Sequence, residues 1–205
     1  EGELLASKWQ ERFSVRDRRS EKISVYARIY LALKAMLEER AADGACFDCQ
    51  GLADKEYVPC LAASLLIEEG KAWGCQCDLA AVLATAILGQ TVGGPVFLGD
   101  LFHNNTERDL DENIVSLNSD LVAPGLAYAR SRPELHDWHG TELGVTCFAD
   151  LRAGAPVTLF GVRPSGGSFE VIKGELVWTQ DTVSCRTAVG VKIADAPRLL
   201  REAEC

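Results

Sequence analysis

The chain has 205 residues, 47% of them hydrophobic and 25% charged, with a formal net charge of −9. That composition belongs to a globular chain with residues enough for one large domain or two small ones, and its acidic balance argues against a nucleic-acid surface, which is normally basic. No apolar run approaches the roughly 20 residues that span a bilayer, and the opening E-G-E-L-L-A-S-K-W carries no signal-peptide pattern, so a cytoplasmic protein without membrane or nucleic-acid partners is expected.

Residues 1–19 are polar, with Arg12, Arg16, Arg18 and Arg19 set among acids. They read as a polar lead-in or truncation point, an exposed helix or linker. Ser20 opens a predicted helix: Ile23, Ala27, Tyr30, Leu33 and Leu37 follow the three-four spacing of one apolar face, and Asp43-Gly44 ends it. Residues 45–49 read as a short strand and 51–57 as a loop. Pro59 suits the first turn of a helix through Leu61, Leu65 and Leu66, closed at Gly70. Residues 73–76 form the next predicted strand. Asp78 can cap the following helix by accepting from its first free N–H groups. Residues 79–88 are apolar nearly all round, so that helix is expected to pack between layers. Gly93, Gly94 and Pro95 break it, and residues 96–98 make a strand that stops at Gly99-Asp100.

Helices alternating with strands indicate a parallel α/β layer. Ligands of such sheets sit outside the carboxyl ends of the strands, where Gln76 and Asp100 would both fall.

The texture then changes. Residues 103–112 are polar and turn-rich, and 113–118 alternate like a strand. Beyond Asp120 come short predicted strands at 145–148, 157–162, 169–172, 176–179 and 187–193. Gly154-Ala155-Pro156, Pro164-Ser165-Gly166-Gly167, Lys173-Gly174 and Asp181 punctuate them, and a terminal helix covers 197–205. The expected fold class is α/β plus β: a partial parallel α/β (Rossmann-like) layer over 20–118, then a small antiparallel β-barrel domain over 119–205. So small a parallel layer covers its faces and edges poorly. The chain is therefore expected to be a piece of a longer protein or to need a partner chain.

Eight cysteines are present: Cys46, Cys49, Cys60, Cys75, Cys77, Cys147, Cys185 and Cys205. Without an export signal most should be free thiols. Cys46-x-x-Cys49 with Cys75-x-Cys77 has ligands enough for a four-thiolate zinc site. The Phe47-Asp48 spacer and the lone Gln76 are atypical of zinc knuckles, however, and within apolar runs a thiol is a small hydrophobe. The chemistry-bearing candidates are Asp100, Gln76, Asp78 as a cap or supporting group, and His139 in H-D-W-H-G-T-E-L-G, with His136 as its rival. Asn118 and Asp120 follow a strand and can also point inward.

The runs C-F-D-C-Q-G-L, C-L-A-A-S-L-L-I-E-E-G, G-C-Q-C-D-L-A-A-V-L-A-T, P-V-F-L-G-D, E-N-I-V-S-L-N and H-D-W-H-G-T-E-L-G-V-T together resemble the L-fucose isomerase and L-arabinose isomerase family, over residues 20–195. The resemblance implies a three-domain fold whose first domain, and the start of the second, would precede residue 1. It implies a homo-oligomer with the active site near a subunit boundary, a monosaccharide substrate, and a divalent cation, manganese or alternatively magnesium, held by a Glu, an Asp and a His. By motif the Asp is Asp100 and the His is His139, while the Glu position falls on Gln76. Asn118 and Trp138 are the candidate substrate-binding residues. The implied reaction is aldose–ketose isomerisation through an ene-diol. The cation polarises the carbonyl while an acid–base group moves a proton between adjacent carbons. Gln76 removes one anionic ligand and one base. The alternative expectation is therefore a catalytically silent relative that binds sugar or serves subunit assembly.

Overall fold

The first fifteen residues are not a solvated lead-in. The computed structural model describes residues 1–15, 22–52, 54–102, 109, 111–163 and 167–203; the expectations at Arg16, Arg18, Arg19, Ser20, His103, Pro164, Ser165, Gly166 and Cys205 lie outside them. Helix α1 (Gly2–Arg12) buries Ala6 and Trp9, and Phe13 follows on the same side. Their spacing of three and four residues is an apolar stripe. Trp9 meets Tyr30 of α2 (Ile23–Glu39) edge to face at 5.6 Å. Arg132 donates to the carbonyls of Gln10 and Arg12 at 3.1 and 3.0 Å, placing a cation at the carboxyl end of α1. Strand β1 (Ser14–Val15) then pairs in parallel with β6 (Glu134–His136), which pairs antiparallel with β7 (Thr146–Phe148).

The parallel layer is narrower than expected. Strands β2 (Gly44–Phe47) and β3 (Ala72–Cys75) pair in parallel, with Cys46 opposite Gly74 and Phe47 opposite Cys75. Helix α3 (Cys60–Glu68) connects them and is buried from Cys60 to Ile67. Helix α4 (Leu79–Val92) starts where predicted: the Asp78 carboxylate accepts from the Ala81 N–H at 3.0 Å. Residues 96–98, however, are not a third parallel strand. They belong to no strand ladder among the described residues, and β4 (Asp100–Leu101) pairs antiparallel with β5 (Ile114–Ser119). With a sheet of only two strands beneath it, α4 is not enclosed between layers. Thr85 is its one buried residue, and Leu79 and Leu83 face solvent.

The second half is an open, curled antiparallel sheet rather than a closed barrel. Its order is β4-β5-β10-β9-β8, with β8 (Pro156–Arg163), β9 (Ser168–Asp181) and β10 (Thr187–Lys192). Because β5 pairs with β10, this sheet spans the expected boundary at residue 118. Lys173-Gly174 was expected to be a turn, yet β9 runs straight through it. A Cβ at Gly174 would lie 2.7 Å from the Lys192 carbonyl oxygen and from the Val191 side chain. That glycine admits a crossing strand rather than a reversal of the chain. A terminal helix α5 (Ala196–Ala203) follows. Two apolar cores result. One joins α1, α2 and α3 to Trp73, Leu121, Leu135, Trp138 and Val145; the other lies under β5, β9 and β10. Among the described residues no helix is long and apolar enough to cross a membrane.

Candidate functional site

The chemistry gathers at the seam between those cores. Antiparallel pairing sets the carboxyl end of β5 beside the start of β10, with Ser119 opposite Thr187. Asp120 therefore follows one strand where Cys185 and Arg186 precede the other. Asp120 is 4% exposed, and its Oδ1 accepts from the Arg186 backbone N–H at 2.8 Å. Its backbone carbonyl accepts from the Ser64 hydroxyl on α3 at 3.3 Å. Both cores thus position this one carboxylate.

His139 arrives from the loop between β6 and β7. Trp138 N–H donates to the Leu143 carbonyl at 2.8 Å, Thr141 Oγ1 donates to the Trp138 carbonyl at 2.6 Å, and the Glu142 N–H donates to Asp137 Oδ2 at 2.6 Å. The loop is closed on itself, and His139 at its tip has φ +52°, followed by Gly140 at +69°. A left-handed non-glycine residue costs on the order of 1–3 kcal/mol and persists where the surroundings over-determine it. Here the surroundings are Arg186, whose Nε donates to the Asp137 carbonyl at 2.9 Å and whose guanidinium pairs with the Asp137 carboxylate, and Trp138, whose ring stacks on the imidazole at 4.1 Å between centroids.

Three ligand atoms converge there. His139 Nε2 lies 2.9 Å from Asp120 Oδ2 and 3.6 Å from Cys185 Sγ, and the three atoms fall within 4.8 Å of one another. A thiolate–imidazole–carboxylate relay needs nucleophile and carboxylate on opposite ring nitrogens. Both partners here meet the same nitrogen, so the arrangement is not a nucleophile's triad but a converging donor set. Burial, then the charges of Asp120 and Asp100, push the Cys185 thiol well up, which leaves it protonated unless a metal displaces the proton.

Asp100 and Gln76 do not share the carboxyl edge of one parallel sheet. Asp100 sits on β4 opposite Asn118, because the chain after Pro95 joins the antiparallel sheet. It still lies at the rim of the same site, close enough for its charge to act on Cys185 and on Cys75. The surrounding protein and the Asp78 charge raise its carboxyl above the ordinary value. Gln76 is exposed with φ +50°, and Cys77 follows at +61°, so the turn leading into α4 holds consecutive left-handed residues. Asn118 is buried and donates to Ser184 Oγ at 3.5 Å. Trp138 is 7% exposed, and its indole N–H has no partner among the described residues. His136, the rival histidine, is engaged elsewhere, 3.1 Å from Glu134 and 3.4 Å from Asp181.

Sequence reasoning passed over Cys185 as a candidate ligand. Its V-S-C-R setting shows nothing until β5 and β10 pair and bring together Asp120 and Cys185, 65 positions apart in the chain. No protein-family model matches the chain, and no curated protein aligns with it significantly.

Proposed function

We propose that this chain is the C-terminal portion of a metal-dependent aldose–ketose isomerase of the fucose/arabinose type, working in the cytoplasm as a homo-oligomer on a monosaccharide. The parallel β2–β3 pair with α3 and α4 would be the remnant of a Rossmann-like layer. The observation that carries the reading is the convergence of Asp120, His139 and Cys185, with Asp100 on the adjoining strand opposite Asn118. One oxygen, one nitrogen and one sulfur donor suit a borderline cation such as zinc. An oxygen-rich set for manganese or magnesium would need Asp100 to join from the rim.

His139 and Asp120 would hold the cation, which would supply Lewis acidity for a sugar carbonyl. The chain's own residues do the rest. Asp100 would take a proton from one carbon and return it to the next. The Trp138 indole N–H, unpartnered among the described residues, and the Asn118 amide can orient hydroxyls. Arg186 holds the His139 loop against β10. The open face of α4 supports self-association.

Titration calorimetry of the full chain with manganese and with zinc tests this, followed by an aldose panel assayed for ketose. Binding that is lost in His139→Ala, with ketose formed by the parent and not by Asp100→Asn, is the expected result. Absence of binding by either cation rejects the reading. The silent-relative alternative rests on the neutral amide of Gln76. It predicts neither tight cation binding nor turnover, and a gain in metal affinity on Gln76→Glu.

A further inference from the structure

The curled sheet encloses space that its own side chains do not fill. Leu159 stands opposite Ile172 and Gly161 opposite Glu170, so these four share one face of the β8–β9 pair. Leu117 and Val189, opposite each other on β5 and β10, continue that face. Two chambers lie against it. The first, about 350 Å³, runs between α4 and β8, with Ala84, Leu88 and Val92 on the helix side. The second, about 310 Å³, reaches Leu199 and Glu202 of α5. Gly99, Leu117, Leu159 and Phe160 line both, so the chambers adjoin. Protein interiors leave few voids larger than a water molecule, whereas small-molecule sites measure about 300–1,000 Å³ and are mostly apolar.

We propose that the adjoining chambers bind one neutral aliphatic amphiphile, a linear alkyl chain ending in a hydroxyl, with its tail against α4 and its head beside Glu170. Charge selects that occupant. Among the described residues no charged side chain lines the first chamber, and its hydroxyls are those of Thr85 and Thr158. Thr85 is already bonded to Trp73. The second chamber adds Glu170 and Glu202, and no lysine or arginine among the described residues. An alkyl carboxylate would set its charge beside like charges, or bury it in the apolar chamber without a partner. An alkylammonium would compete with Arg198, which pairs with Glu202 at 2.8 Å. A hydroxyl meets neither obstacle. Its O–H donates to a carboxylate, which has lone pairs for several donors.

Size and shape agree with a chain rather than a compact molecule. Val157 lines the first chamber and Gly161 the second, and β8 advances about 13 Å between them at the rise of a strand, a length that a decyl chain spans. At Gly161 an added Cβ would meet nothing within 4 Å. The absent side chain leaves room beside Glu170 for a head group. Removal of the methylenes from water supplies affinity, and the polar contact at Glu170 supplies orientation. None of Asp120, His139 and Cys185 lines either chamber, so this site is separate from the donor set.

Titration calorimetry of the full chain with decanol, and with decanoate as the matched anion, both below the concentrations at which they aggregate, tests the proposal. One decanol per chain is expected, bound roughly tenfold or more tightly than decanoate. Gly161 sits in a strand without a left-handed φ, so Gly161→Leu fills the space beside Glu170 without backbone strain. It should weaken decanol roughly tenfold while the urea midpoint does not fall. Glu170→Gln removes a like charge and should narrow the gap between decanoate and decanol. Should Gly161→Leu fail to fold, Ala84→Leu on α4 fills the other chamber and decides in its place. Lack of saturable decanol binding, decanoate bound as tightly as decanol, or a decanol affinity untouched by the filling substitution overturns the proposal. The experiment contains neither metal nor sugar, so its result and that of the isomerase reading fall independently.

Discussion

Helices α3 and α4 are near twins in composition and opposites in fate. The first is C-L-A-A-S-L-L-I-E, with Glu68 its only charge; the second is L-A-A-V-L-A-T-A-I-L-G-Q-T-V, with none. Yet α3 is buried from Cys60 to Ile67, whereas α4 buries Thr85 alone. The difference lies in what surrounds them. α3 packs against α2, β3, β7 and the turn at 124–126. α4 rests on β2 and β3 below and touches β8 at its side, and residues 96–98, the stretch expected to widen its sheet, form no strand pair among the described residues. An all-round apolar helix states a demand for burial; the supply of neighbours comes from elsewhere in the chain.

Substitutions ranked by depth break or sharpen that contrast. Leu66, fully buried in α3, should lose about 2–5 kcal/mol of stability on change to Ala, through lost transfer energy and the cavity left behind. A urea midpoint within error of the parent would mean that α3 is not the core helix. Thr85→Val comes next. The Thr85 hydroxyl accepts from the Trp73 N–H at 3.1 Å and also stands 3.0 Å from the Trp73 carbonyl oxygen, so it ties α4 to β3. Removing it strands a buried N–H, at a cost of about 1–3 kcal/mol, and hydrogen exchange at the Trp73 amide should speed up accordingly. Leu83→Ala should matter least, within about 0.5 kcal/mol, because Leu83 is 49% exposed. A Leu83 loss as large as that of Leu66, together with a fall in sedimentation coefficient, would show the α4 face to be covered by another chain in solution.

Local elements were legible where a local cause exists. The α2 stripe, the Asp78 cap and the β2–β3 pair all follow from spacing and capping chemistry. The α1 stripe of Ala6, Trp9 and Phe13 was also present, but obscured by the arginines and acids around it. Gly174 misled for a definable reason. A glycine permits a turn and equally permits close approach, and only the position of Lys192 and Val191 selects between them. At the site, His139 could be picked out from its loop and Asp120 from its place after a strand. Cys185 could not, since its partner atoms are far off in sequence. Asp100 was found for an incomplete reason: it is at the rim, but through antiparallel pairing with Asn118 and not through a shared parallel edge.

The sequence by itself determined the α2 stripe, the start of α4 at Asp78 and the extended character of the β2, β3 and β5 segments. Those properties depend on neighbours within a few residues, where propensity and periodicity act. Tertiary structure alone decided that β5 joins β10, that Asp120, His139 and Cys185 become one donor set, and that the β2–β3 sheet parts Cys46 from Cys75. Strand pairing is a contest among distant segments for the same hydrogen bonds and the same buried area. Its outcome depends on the whole chain, and a one-residue change of register would send each of those side chains to the opposite face.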